Sequence, residues 1–246
     1  MGLNLPSFTK EWHSTTYPAI APSQPALSAA GKSVAITGGG QGIGAAAARS
    51  FAEAGATHIA ILGRTKATLD QTASALSSTY PNVKIHAYAA DVVDAAAVDK
   101  ALGDFAAAVG GKMDILVSNA SYLPDQVTIK DLTPDQYIKD LAVNIKSPLV
   151  LVQSFLKHGK PDGLIINVTS ASPFLSTPSP AAYTVGKEAA LRFFQLFAEQ
   201  HPELKTVNIH PGVVETDMNR KSGVPAMDDG KHDRLAREVS NFQAIR

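Results

Sequence analysis

The sequence predicts a single α/β domain built on a doubly wound parallel sheet. Three observations predict it. Six short β-rich runs alternate with longer helical stretches between residues 33 and 210. Several of these runs are apolar throughout rather than strictly alternating, as strands are when both faces of a sheet are covered. The connections are short, which implies right-handed βαβ crossovers.

The elements follow in order. Residues 33–37 (SVAIT) form an apolar, β-prone run and the first strand. An alanine-rich helix is predicted over 42–54, a second strand over 58–62 and a helix over 66–78, with Pro81 beyond its end where proline stops a helix. The third strand is 83–89, the next helix 95–109 and the fourth strand 115–118. A long helical region covers 134–158, followed by a strand at 164–169, a helix at 181–200 and a sixth strand at 206–210. The expected strand order is 3-2-1-4-5-6. Residues 1–31 carry Pro6, Pro18, Pro22 and Pro25. They read as an irregular arm pinned by Phe8, Trp12 and Tyr17, or as a loose tail. The domain proper is read as 32–227, and 228–246 as a short tail.

Composition excludes several function classes. Of 246 residues, 45% are hydrophobic and 18% charged, which fits a folded domain and not a disordered chain. Lys+Arg and Asp+Glu number 22 each, so charge gives no reason to expect nucleic acid or an anionic membrane surface as a partner. The chain has no cysteine, which excludes disulfides, thiolate catalysis and thiolate metal sites. Its seven histidines show no metal-ligand spacing, and no metal is expected. The nearest approach to a membrane span, 141–156, is interrupted by Asn144, Lys146 and Gln153. The N-terminus lacks a basic-then-apolar leader, and Pro6 stands where myristoylation needs Ser or Thr. A cytoplasmic protein without a membrane partner is expected.

Between the first strand and its helix stands Thr37-Gly38-Gly39-Gly40-Gln41-Gly42-Ile43-Gly44. A helix N-terminus exposes unpaired N–H groups and the positive end of the helix dipole. A pyrophosphate sits there if the backbone comes close enough, and Gly38, Gly42 and Gly44 remove the side chains that would bar it. Taken alone, this G-x-x-x-G-x-G spacing is either a phosphate cradle or only a tight strand–helix connection. Far downstream, Tyr183 and Lys187 are four apart on a predicted helix and share one face. Taken alone, that pair is either amphipathic surface or a proton-transfer pair.

Together these segments resemble the short-chain dehydrogenase/reductase family. The chain matches T-G-x-x-x-G-x-G at Thr37 to Gly44, Y-x-x-x-K at Tyr183 and Lys187, and P-G-x-x-x-T at Pro211 to Thr216. The resemblance covers about residues 30–220. It implies a Rossmann-type domain and an oxidoreductase that transfers a hydride between a nicotinamide cofactor and a ketone or secondary alcohol. A nucleotide-binding regulatory or structural protein without turnover is the alternative from another class.

Cofactor choice turns on the end of the second strand. NAD-type sites place a carboxylate about twenty residues beyond the glycine turn. Here that place holds Arg64, followed by Thr65, a cationic fork and a hydroxyl suited to a 2′-phosphate. NADP(H) is therefore expected in preference to NAD(H), the alternative being that Arg64 is a solvated loop residue. Gln41 stands in the turn where many NADP-specific relatives carry a second basic residue. Gly38, Gly42, Ile43 and Gly44 of the turn are expected at the cofactor. The resemblance further implies that Asp91 receives the adenine amino group and that Val92 packs on the ring, although Asp91 is also placed to be a helix N-cap. Asn119-Ala120-Ser121 matches the family's N-A-G except that Ser121 replaces glycine. Val214 and Thr216 are implied at the nicotinamide carboxamide.

At the reacting centre, a tyrosine of pKa about 10 needs help to act near neutrality. The Lys187 ammonium, with the charge of oxidised nicotinamide, is expected to lower the Tyr183 pKa. Tyr183 then protonates the alkoxide in reduction or deprotonates the alcohol in oxidation. The resemblance implies that Ser170 polarises the substrate oxygen, with Ser172 a nearby competitor, and that Asn144 holds a water of the proton relay. Lys187 is implied at the nicotinamide ribose. The resemblance implies that the loop at Tyr122-Leu123-Pro124 helps line the substrate cleft, and Phe174, Leu175, Tyr122 and Met218 suggest an apolar or aromatic carbonyl substrate, or ordinary loop packing. The family's seventh strand is expected to be absent after Met227, and the helices at 134–158 and 181–200 are expected to pair in a homodimer.

Overall fold

A computed structural model of the chain describes residues 16–174 and 179–222. Phe8 and Trp12 of the arm, Leu175 of the substrate loop and the region expected to lack a seventh strand lie outside the described residues.

The described residues form one parallel six-stranded sheet in the order β3-β2-β1-β4-β5-β6. The strands are β1 (Ser33–Thr37), β2 (His58–Gly63), β3 (Lys84–Ala89), β4 (Met113–Ser118), β5 (Gly159–Val168) and β6 (Lys205–Ile209). Between them run α1 (Gly42–Glu53), α2 (Lys66–Thr79), α3 (Ala95–Ala108), α4 (Pro134–His158) and α5 (Ala181–Gln200). A short helix α6 (Asp217–Ser222) follows β6.

Strand alternation divides the core into two layers. Val34 and Ile36 face α1 and α2, where they join Ala48, Leu69 and Leu76. Ala35 turns to the other face and joins Leu102, Leu151 and Phe194 of α3, α4 and α5. Both faces of β1 are thereby buried, which is why its sequence shows no polar alternation.

β5 begins five residues earlier than the 164 read from sequence, because Gly159 pairs with Met113 before a register shift. The added segment, Lys160-Pro161-Asp162-Gly163, has no apolar side chain on its flank to reveal it. Its strand is held instead by charge. Lys160 Nζ lies 2.7 Å from Asp114 Oδ1, and the Ser33 N–H and hydroxyl donate to Asp114 Oδ2 at 3.0 and 2.9 Å. Lys32 Nζ adds a longer contact of 3.4 Å. One carboxylate thus ties β1, β4 and β5 at their N-terminal ends. Burial works against its ionisation, but the Lys160 ammonium and the two Ser33 donors outweigh burial and hold the pKa at about 2.

Because this pKa lies below the ordinary carboxylate value, the stabilisation is present above about pH 4 and is lost as pH falls toward about 2. Asp114→Ala is expected to destabilise the fold by about 1–3 kcal/mol at pH 7, since it strands the Ser33 donors. Thermal unfolding of both proteins at pH 7 and at pH 3 checks this; the gap between them should narrow at the lower pH.

Candidate active site

The C-terminal ends of the strands open into a cavity of about 430 Å³. In an open α/β sheet, the crevice beside the point where strand order reverses is where ligands bind. Here that point lies between β1 and β4.

The glycine turn forms the crevice floor. Gly38 and Gly42 have φ of +68° and +55°, a region that side chains rarely enter. A Cβ on Gly44 would stand 2.2 Å from the Gly38 carbonyl oxygen, so only glycine closes the turn. The N-cap residue of α1, Gln41, makes no side-chain capping bond. The first N–H groups of α1 are thus left open to an anion. Gly38, Gly42 and Ile43 line the cavity, whereas Gly44 lies beneath, against Gly38.

The turn is braced from below. The Thr37 hydroxyl accepts from the N–H groups of Asn119 and Ala120, both at 3.0 Å, and Asn119 Nδ2 donates to the Thr37 carbonyl at 2.8 Å. Asn119 thus faces the cavity as the strut that joins the β1 turn to the loop after β4. Arg64 and Thr65 line one end. Arg64 is exposed and forms no ion pair among the described residues. Asp91 and Val92 also line the cavity. The N-cap alternative for Asp91 is corrected: Asp94 caps α3, accepting from Ala96 and Ala97, while Asp91 accepts from the Val93 N–H in a tight turn. Val214 and Thr216 also line the cavity, with Thr216 against Gly42.

Tyr183, Lys187 and Ser170 meet at the centre of the cavity wall. Lys187 is buried; its Nζ donates to the Val168 carbonyl at 2.8 Å and lies 6.0 Å from the Tyr183 ring centroid. Burial pulls the Lys187 pKa down to about 8. The expected lowering of the Tyr183 pKa is corrected for the protein by itself. Burial raises it, and the hydrogen bond with Ser170 offsets only part of that rise. The cause is burial of the phenol, which the Lys187 ammonium, 6.0 Å from the ring centroid, does not outweigh. Ser170 Oγ also accepts the Ser172 N–H at 3.1 Å, so its hydroxyl is held between that N–H and the Tyr183 phenol. The Ser172 hydroxyl is buried without a partner among the described residues, so of the two serines Ser170 is the one joined to Tyr183.

Asn144 is buried, and its side chain does not line the cavity. Its Oδ1 accepts from Ser121 Oγ at 2.8 Å and from the Tyr122 N–H at 3.1 Å, and its Nδ2 donates to the Tyr122 carbonyl at 2.9 Å. The Asn144 side chain is thereby taken up by Ser121 and Tyr122. Pro148, four residues on in α4, has no N–H and leaves the Asn144 carbonyl without its helical donor.

Several features escaped the sequence reading. Lys221 of α6 reaches the loop after β4, donating to the Leu123 carbonyl at 3.0 Å and pairing with Asp125 at 2.9 Å. Gln126 Nε2 donates to the Ser222 carbonyl at 3.0 Å. These bonds join two segments that supply Tyr122, Leu123 and Met218 to the cavity lining. Phe174, expected in the substrate cleft, is instead 72% exposed and does not line the cavity. No group of three or more His, Asp or Glu side chains among the described residues is placed to hold a metal, and no described helix is long and apolar enough to cross a membrane.

Residues 32–225 match the family described as short chain dehydrogenase. The chain belongs to the short-chain dehydrogenase family. Members of this family are NAD(P)-dependent oxidoreductases. Short chain dehydrogenase tazN of Aspergillus terreus is 35% identical over 222 residues, which cover 85% of this chain and 46% of tazN. Short chain dehydrogenase pigC of Monascus ruber is also 35% identical, over 85% of this chain and 71% of pigC. This chain therefore spans less than half the length of one such relative and about seven tenths of the other. Among solved structures, a short-chain dehydrogenase from Burkholderia cenocepacia in complex with NADP superposes with a TM-score of 0.72 at 29% identity. The match covers 84% of this chain and 88% of that one. An alcohol dehydrogenase from the archaeon Thermococcus sibiricus, complexed with 5-hydroxy-NADP, gives 0.74 at 26% identity, over 85% and 89% of the two chains.

The turn geometry of this short-chain dehydrogenase makes a sharp expectation. Gly44→Ala forces its Cβ against main-chain atoms that cannot move singly. It should lower the melting temperature by several degrees, on the order of 1–3 kcal/mol, as overpacking does. Gly110→Ala, at a surface glycine of positive φ with nothing within 4 Å of the added Cβ, isolates the backbone effect alone. Differential scanning calorimetry of the two variants separates clash from conformation.

Proposed function

We propose that this chain transfers a hydride between NADP(H) and a ketone or secondary alcohol, with Tyr183 as proton donor and acceptor. One observation carries the reading: Tyr183, Lys187 and Ser170 converge on the wall of a cavity whose floor is a glycine turn at an open helix N-terminus. The Gly38–Gly44 turn with Ile43 suits a pyrophosphate. Arg64 and Thr65 suit a 2′-phosphate, while Asp91, Val92 and Asn119 suit the adenosine side. Val214, Thr216 and Lys187 suit the nicotinamide side. NADP in one structural neighbour and 5-hydroxy-NADP in another support a nicotinamide cofactor, and Arg64, without an ion pair among the described residues, supports the phosphorylated form.

When bound, the cofactor supplies or accepts the hydride. The residues of this chain handle the proton and the substrate oxygen. Ser170, hydrogen-bonded to Tyr183 in the protein alone, is placed to turn its hydroxyl proton to a carbonyl oxygen that enters beside the phenol. The phenol of Tyr183, kept neutral by burial, has a proton to give as that oxygen becomes an alkoxide. The Lys187 ammonium then stabilises the phenolate left behind. A neutral phenol favours reduction as the working direction. Tyr122, Leu123 and Met218 in the cavity lining favour an apolar or aromatic carbonyl compound.

The reading is tested by a panel of acetophenone, cyclohexanone and a quinone with NADPH or NADH, following cofactor oxidation. Tyr183→Phe should lower kcat by about 100-fold or more. Undiminished turnover would remove the assignment. The rate of reduction should fall as pH rises through about 8, where Lys187 loses its charge. In Arg64→Ala, the Kd for NADPH should rise roughly tenfold or more, with that for NADH little changed, the loss of a charge-assisted bond of about 1.5–3 kcal/mol.

A homodimer is part of the same proposal. Ile138, Ile145, Leu149 and Leu156 are exposed on α4 at successive spacings of one or two turns, which aligns them in one stripe. Val185 and Leu196 add exposed apolar groups on the neighbouring α5. Light scattering should give twice the chain mass for the wild type, and Ile145→Lys with Leu149→Lys should give the mass of one chain.

A further inference from the structure

Asn119-Ala120-Ser121 departs from the family motif at one place, and the side chain gained there is fully engaged. Ser121 Oγ lies 2.8 Å from Asn144 Oδ1. Two bonds to Tyr122 fix which end of the Asn144 amide is oxygen: Oδ1 takes the Tyr122 N–H at 3.1 Å, and Nδ2 gives to the Tyr122 carbonyl at 2.9 Å. The reverse orientation would set donor against donor and acceptor against acceptor. An amide oxygen has no proton, so the Ser121 hydroxyl is the donor. Its single proton is used, and only lone pairs are left on Oγ.

Asn144 links this loop to the reacting centre. It is buried on α4 and packs against α5 at Gly186, where an added Cβ would come within 2.7 Å of the Asn144 Cβ. Gly186 lies between Tyr183 and Lys187 on the same helix. No other residue at 186 would let Asn144 approach so closely. The amide is therefore clamped on one side by Ser121 and Tyr122 and abuts the helix of the proton donor on the other. With glycine at position 121, the clamp would lack one of its three bonds.

We infer that Ser121 is a positioning residue: it holds Asn144, and with it the fit of α4 against the Tyr183 face of α5, while presenting a hydrogen-bond acceptor to the cavity it lines. Only the kinetic consequence rests on the proposed reductase activity. The test compares Ser121→Ala with Ser121→Thr, which keeps a hydroxyl. Ser121→Ala should speed hydrogen exchange at the Tyr122 amide about tenfold and lower kcat for the panel carbonyl about fivefold, the loss of one hydrogen bond. The Kd for NADPH should stay within about twofold, because the glycine turn is untouched. Ser121→Thr should restore both exchange and kcat. Wild-type exchange at Tyr122 in Ser121→Ala, or wild-type kcat, overturns the inference. If the unmodified protein reduces no carbonyl, the proposed activity fails by itself, and the exchange measurement still decides the role of Ser121.

Discussion

The structure depends on how closely two backbones approach at the end of β1. The Gly38 carbonyl sits where a Cβ at position 44 would be, and the Asn119 amide sits where Cβ atoms of both Gly38 and Gly44 would press. Three constraints are met in one place. The chain reverses from strand to helix, the first N–H groups of α1 stay open, and the loop after β4 is fixed by Thr37 and Asn119. A side chain anywhere in this contact would force the loop outward and carry Ser121 and Tyr122 with it. The crevice for an anion and the wall opposite Tyr183 are therefore one construction, not two.

A second close contact sets the other wall. α4 and α5 meet at Asn144 and Gly186, and α5 is tied to the sheet by the bond from Lys187 to the Val168 carbonyl. Val168 ends β5, and Ser170 follows it. The lysine thus fixes the height of α5 relative to the strand that delivers Ser170, which brings the serine and Tyr183 within hydrogen-bonding reach. The position of the phenol is a consequence of packing that involves no titration at all.

The parts of this arrangement that were legible in the sequence were those with a period or a fixed spacing. Apolar runs and helical stretches gave the strand order, since both faces of β1, β2 and β4 are covered. The glycine spacing marked the turn because backbone approach admits only glycine at Gly44. Tyr183 and Lys187 declared a shared face through their separation of four. What could not be read depends on partners distant in sequence. The early start of β5 is visible only once Lys160 meets Asp114 from another strand. The engagement of Asn144 requires Ser121, 23 positions away, and the bridge from Lys221 to Leu123 spans 98. Asp91 and Asp94 are equally good caps by composition, and only backbone geometry separates them.

The direction of the Tyr183 shift has the same origin. Sequence places a cation four residues away, and simple attraction says that the phenolate should gain. The fold spends that cation on a main-chain carbonyl and buries both groups, and burial penalises charge of either sign. The phenol pKa moves up and the ammonium pKa moves down to about 8, so near neutrality the phenol keeps its proton and the lysine stands closer to losing its own. Such a pair is poised rather than committed. Its protonation is set by whatever charge enters the crevice, because in a low-dielectric pocket a nearby positive charge acts far more strongly than it would in water. The same burial that keeps the proton on Tyr183 in the protein alone therefore makes that proton responsive to the charge of the group bound beside it.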